Sequence, residues 1–150
     1  MNAERADERS ACCARPDDAC VFDKALLARA AGCAHLRRQP VGEREALLCA
    51  HPPARYNCET LLALARERAT FALRLPPPGR PLLHAQALRL QCGGLAALAA
   101  EAGPRAVGRE DVSALTAALH SADTAFAELP WERLVPAIAA WQPRRRWAPR

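Results

Sequence analysis

Seven cysteines are the residues in this chain whose chemistry reaches beyond packing: Cys12, Cys13, Cys20, Cys33, Cys49, Cys58 and Cys92. A thiolate is a soft ligand suited to zinc and iron–sulfur clusters, and it is also the nucleophile of disulfide exchange. Counted from Cys13, the intervening stretches are 6, 12, 15, 8 and 33 residues long. No CxxC pair occurs, which argues against a zinc ribbon, a RING-like module and a thioredoxin-type redox pair. The spacing is also more open than the cysteine runs of ferredoxins. Because seven is odd, complete intrachain disulfide pairing is impossible.

Placement says more than spacing. The sequence predicts a helix starting near Cys20, capped by Asp17 or Asp18, with Phe22, Leu26, Leu27 and Ala30 on its apolar face and Gly32 after its last turn. Cys33 falls just beyond it. A short helix is expected from Gly42 to Ala50, ending at Pro52-Pro53, with Cys49 in its last turn. The next helix is expected from Asn57, a good N-cap, to Leu73, and Cys58 is its first residue. Cys20, Cys33, Cys49 and Cys58 thus lie at the ends of consecutive short segments, and such ends can converge on one point. At a helix start, Cys58 is expected to have a lowered thiol pKa. Four thiolates would complete a cubane [4Fe–4S] site or a tetrahedral zinc. These four are the candidate metal ligands, with an iron–sulfur cluster as the expected cofactor and zinc as the alternative.

Cys92 shares an apolar stripe with His84, Leu88, Leu95 and Ala99 beside Gly93-Gly94, so packing as a small hydrophobe is its expected role. The glycine pair predicts a kink or the close approach of another backbone. Cys12 and Cys13 lie in a polar arm and are read equally as spare thiols and as additional ligands. His51, two residues after Cys49, is the one histidine placed to substitute for a cysteine, although a packed or solvated role is the simpler reading.

The elements that must position these residues read as helices throughout. The stripe Cys58, Leu62, Ala65, Ala69, Ala72 has helical spacing. Further helices are expected over 82–102, 110–122 and 130–141, the last interrupted by Pro136, with Val112, Leu115, Leu119 and Ala118 inward and Trp131 and Trp141 over the core. Alanine is abundant, isoleucine occurs once, and valines stand singly, so strands are not expected. The expected architecture is an all-α, irregular or orthogonal bundle of five to six helices in a single domain. Residues 1–19 form a flexible polar arm, 20–142 the helical domain with the cysteine site in its first half, and 143–150 a basic tail.

Composition bounds the rest. With 51% apolar and 25% charged residues the chain is globular in character. At 150 residues it needs no metal merely to build a core. The net charge of +5 is carried almost wholly by arginine, Lys24 being the single lysine. A GC-rich coding bias accounts for this more simply than nucleic-acid binding, even with Arg144-Arg145-Arg146-Trp147 near the end. No apolar run long enough to span a membrane occurs. The charged stretch Met1 to Arg9 does not resemble a signal peptide, so a reducing cytoplasm is the expected compartment. No nucleophile elbow, phosphate-cradling glycine motif or paired acid and base is present, which leans away from an enzyme. The function expected is a small cysteine-ligated metalloprotein in electron transfer or redox sensing with a redox or protein partner. The alternatives are a zinc-stapled interaction module and a thiol–disulfide redox protein working through Cys58.

Overall fold

A computed structural model describes residues 17–103, 111–121 and 125–143. The expectations for Cys12, Cys13 and the Arg144–Trp147 tail lie outside these residues. The order of elements is α1 (Asp23–Leu27), β1 (Leu36–Val41), β2 (Arg44–Cys49), α2 (Pro52–Leu73), α3 (His84–Leu88), a π turn (Arg89–Gly93), α4 (Gly94–Ala102), α5 (Val112–Ser121), a 3-10 turn (Phe126–Glu128) and α6 (Trp131–Ala140).

The structure is mostly helical but mixed α/β, which corrects the all-α expectation: β1 and β2 pair as an antiparallel hairpin where a helix over 42–50 was expected. Val41 pairs with Arg44, leaving Gly42-Glu43 as a two-residue connection. Gly42 adopts φ 62, a conformation only glycine takes without strain and the one a tight hairpin wants at its first turn position. Pro40 sits in β1 with extended backbone, as a strand at a sheet edge permits. Leu47 and Leu48 are both buried although adjacent in a strand. Their apparent helical pattern reflects a second covering: residues 18–20 run antiparallel along the outer edge of β2, with Ala19 bridged to Leu48, the Cys20 amide donating to Leu47 O at 2.9 Å and the Cys49 amide to Asp18 O at 2.7 Å.

Three helix boundaries also move. α1 begins at Asp23, not at Cys20, and ends at Leu27. The left-handed residue after it is Arg29, φ 56, not Gly32. The amides of Lys24 and Ala25 donate to Gln91 Oε1 at 2.9 and 3.1 Å, so α1 is capped from 66 residues away in sequence. α2 begins at Pro52, with Pro52-Pro53 in its first turn and His51 as N-cap, its Nδ1 accepting from the Ala54 amide at 3.1 Å. Proline suits that position because the first helical amides have no intrahelical acceptor. α2 ends at Leu73, where expected, with Arg74 left-handed at φ 52. Its buried residues are Cys58, Leu61, Ala65 and Ala69, while Ala72 is exposed.

The expected long helix over 82–102 is α3 and α4 joined through the π turn. The turn admits an extra residue, which shifts the buried face. Gln91, Cys92 and Gly93 are all buried, and His84 is exposed. A Cβ on Gly93 would stand 2.9 Å from Trp141 Cβ and 3.1 Å from Ile138 O, so glycine is what lets the end of α6 approach. α5 buries Val112, Leu115, Thr116 and Leu119, leaving Ala118 exposed. α6 keeps Pro136 inside a single helix and buries Trp131, Leu134 and Ile138. α2, α4, α5 and α6 pack together around one apolar core that also takes in Phe22, Leu26 and Leu47 from the cysteine-rich half. Among the described residues no helix is long and apolar enough to cross a membrane.

The glycine pair separates two physical causes. Gly93→Ala must push Trp141 or the α6 carboxyl end aside and is expected to cost about 1–3 kcal/mol. Gly94→Ala meets nothing within 4 Å and is expected to stabilise by about 0.5–1 kcal/mol through helix propensity. Urea unfolding of both variants checks this; equal effects would mean that the close approach at Gly93 does not constrain the packing.

Candidate metal centre

Cys20, Cys33, Cys49 and Cys58 line one cavity, together with Val21, Phe22, Ala54, Arg55, Val112 and Ser113. Four separate segments bring the sulfurs there. Cys20 arrives on the strip paired with the outer edge of β2. Cys33 lies in the loop between α1 and β1, in a turn closed by the Leu36 amide donating to Cys33 O at 3.2 Å. Cys49 ends β2. Cys58 is in the second turn of α2, not at its first residue. Convergence from segment ends therefore describes Cys20, Cys33 and Cys49, whereas Cys58 enters from a helix face.

The loop that carries Cys33 is fixed from both sides by α5. Asp111 caps that helix, its Oδ1 accepting from the amides of Ser113 at 2.9 Å and Ala114 at 3.3 Å, and it also accepts from the Ala34 amide at 3.4 Å. The Val112 amide donates to Gly32 O at 2.9 Å. Residues 32 and 34, flanking Cys33, are thereby tied to the start of α5. Arg55 joins two other walls: its Nε donates to Ala19 O at 2.9 Å and its Nη1 to Glu59 at 3.0 Å.

The electrostatics correct one expectation. Cys58 does not have a lowered pKa; burial pushes it up to about 11, against a hydrogen bond from Thr116 and with the charges of Cys33 and Cys49 adding to the rise. The seventh residue of a helix is too far from the free amides for the dipole to outweigh desolvation. Burial likewise pushes Cys20 up to about 11 and raises Cys33. Neighbouring sulfurs contribute to each of these rises, with Cys33 and Cys58 acting on Cys20 and Cys49 acting on Cys33. Each sulfur nonetheless has a polar neighbour. The Phe22 amide is directed at Cys20, the His35 and Ser113 amides at Cys33, and the Thr116 hydroxyl lies 3.7 Å from Cys58. The Cys49 thiol donates to His51 O at 3.4 Å.

The remaining candidates fall elsewhere. Cys92 is buried in the apolar core and does not line the cavity. His51 uses its Nδ1 as the cap of α2 and stacks on His35 with ring centroids 4.6 Å apart, so its role here is structural. His120 stands edge-on to Phe126 at 5.7 Å. Among the described residues, no group of three or more His, Cys, Asp or Glu side chains is arranged to hold a metal ion. The sulfurs thus stand around a cavity and do not form a ready cage for a single ion. Sequence reasoning did not find Arg55, Asp111 or Thr116. The first reads as a surface charge and the last as an ordinary helix residue, and the capping Asp111 was legible only as part of a helix start.

No protein family, curated protein or solved structure matches this chain.

The raised thiols set a pH dependence for the metal-free protein. Folded Cys20 and Cys58 keep their protons up to about 11, whereas the ordinary thiol value is 9.0. A raised folded-state pKa means that the folded form binds more protons in this window, so stability is intact below 9 and falls as pH rises toward 11. Thermal melts across that range should show a falling Tm, flattened in the Cys20→Ala/Cys58→Ala double variant. An undiminished fall in that variant would assign the pH dependence to other groups.

Proposed function

We propose that this protein is a small iron–sulfur protein acting in electron transfer or redox sensing, with Cys20, Cys33, Cys49 and Cys58 as the cluster ligands. The observation that supports this most is the convergence of four sulfurs from four segments on one cavity. The donor set fits the group: all four ligands are thiols, the kind of ligand iron–sulfur clusters take. Iron–sulfur leads zinc because every candidate ligand is a sulfur and the spacing of the four in sequence is open.

The raised thiol values mean that ligation has to displace protons held more tightly than usual, a cost that metal–sulfur bonding would have to offset. The amides aimed at Cys20 and Cys33 and the hydroxyl near Cys58 are donors of the kind that stabilise thiolate sulfur and tune reduction potential. When bound, a cluster would supply one-electron chemistry. The protein's own part would be to hold it with the four cysteines and to shield it with Phe22, Val21 and Val112.

Anaerobic reconstitution with ferrous iron and sulfide, followed by iron and sulfide analysis, tests the reading. Parent protein should be brown and hold about four irons per chain for a cubane site. Cys58→Ser should lose most of the iron and melt lower than loaded parent protein, because metal binding is coupled to folding. Cys92→Ser should retain iron. One tightly bound zinc per chain and no iron would favour the zinc-stapled alternative, and full iron in Cys58→Ser would remove that ligand.

A further inference from the structure

We infer that Thr116 is a positioning residue of the cysteine site, whose hydroxyl lets the buried Cys58 sulfur exist both as a thiol and as a thiolate ligand. The inference rests on the cluster reading above and concerns a residue from α5, on the far side of the chain from the ligands in sequence.

Thr116 is one of two buried polar residues among those described, at 3% exposure. Its Oγ1 lies 2.8 Å from Val112 O and 3.7 Å from Cys58 Sγ. A hydroxyl has one proton to give and two lone pairs that accept. While Cys58 is a thiol, the Thr116 proton goes to Val112 O and the oxygen accepts the S–H. A thiolate has no proton to offer and needs a donor. The same hydroxyl can then rotate about its C–O bond, release Val112 O and donate to the sulfur. Ligation exchanges the thiol proton, which leaves to water, for a bond between sulfur and metal. The hydroxyl rotation keeps the sulfur hydrogen-bonded on both sides of that exchange. A buried sulfur flanked only by hydrocarbon would have no hydrogen-bond partner in either state.

The position is suited to this. Thr116 projects from the same helix whose Ser113 amide is directed at Cys33 and whose Asp111 cap holds the Cys33 loop. One helix therefore presents donors to two of the four sulfurs. In metal sites such outer partners orient ligands and set affinity, and losing one typically weakens binding by about ten- to hundredfold.

The test uses the full chain reconstituted with ferrous iron and sulfide, as parent, Thr116→Val, Thr116→Ala and Thr116→Ser. Valine keeps the shape, alanine cannot overpack, and serine restores the hydroxyl without the methyl. Iron content, the rate of iron loss to a ferrous chelator and the reduction potential are read, alongside urea unfolding of the metal-free forms. Val and Ala variants should lose iron about ten- to hundredfold faster than the parent and shift the potential downward, with serine close to the parent. A purely packing role predicts the reverse order, serine behaving like alanine and valine like the parent, and would overturn the inference. Unchanged iron loss in both Val and Ala variants, with the parent holding iron, would overturn it while leaving the cluster reading intact. A parent that takes up no iron would remove the cluster reading and this inference with it.

Discussion

Burial of several thiols against one another is the constraint on which the cysteine half depends. A thiol accepts burial readily, whereas a thiolate does not, and mutual repulsion among neighbouring sulfurs raises the cost of ionising each one. Cys20, Cys33 and Cys58 all show this upward pressure. The fold responds to the neutral and to the ionised state with the same groups. Amides and a hydroxyl reach the sulfurs without adding a competing fixed charge, and Arg55, the one cation lining the cavity among the described residues, is already engaged with Glu59 and Ala19 O. The wall therefore tolerates protonated sulfurs and carries donors for ionised ones.

Positioning comes from backbone pairing more than from helices. The antiparallel strip of residues 18–20 against β2 sets Cys20 and Cys49 through reciprocal amide bonds. The Ala50 amide donating to His35 O at 2.8 Å closes the base of the hairpin next to the Cys33 turn. Such bonds hold register tightly, because a slip by one residue would turn Leu47 and Cys49 to the opposite face. A two-stranded hairpin alone is marginal in water. Here it gains its permanence from Leu47, Leu48 and Ala19, which are buried.

The same dependence on tertiary contacts explains what could be read in the sequence. α2, α5 and α6 were legible because their apolar residues recur at helical spacing over ten residues or more. That Cys20, Cys33, Cys49 and Cys58 line one cavity was argued from nearness to segment ends, which describes Cys20, Cys33 and Cys49 but not Cys58, in the second turn of α2. Arg44 to Cys49 was misread because Glu, Ala and Leu favour a helix intrinsically, and nothing local announces that residues 18–20 will cover the strand's outer edge. Pro52-Pro53 was misread as a stop because the same residue type closes one element and opens the next; only the cap at His51 decides between them. The lowered pKa expected for Cys58 followed from that one boundary error, since it moved the residue from the second turn to the first.

The half of the chain without candidate ligands governs the geometry of the half that carries them, through three polar side chains on otherwise apolar helices. Gln91 reaches across to cap α1, its Nε2 also donating to Asp23 at 3.2 Å, and so anchors the chain just after Cys20. Gln91 lies in the π turn, on the buried face of that segment. Gly93, in the same turn, admits the end of α6, which locks that face against the core. Asp111 and Thr116 do the corresponding work on α5 for Cys33 and Cys58. Gln91 accepts from the buried Ala25 amide, Asp111 from part-buried and exposed amides, and Thr116 lies beside the buried Cys58 sulfur; no buried side-chain nitrogen or oxygen among the described residues is left unsatisfied. Polar contacts of this kind are directional where apolar packing is not. The apolar core holds the two halves together, and these three residues add directional ties between them to those of the backbone pairing.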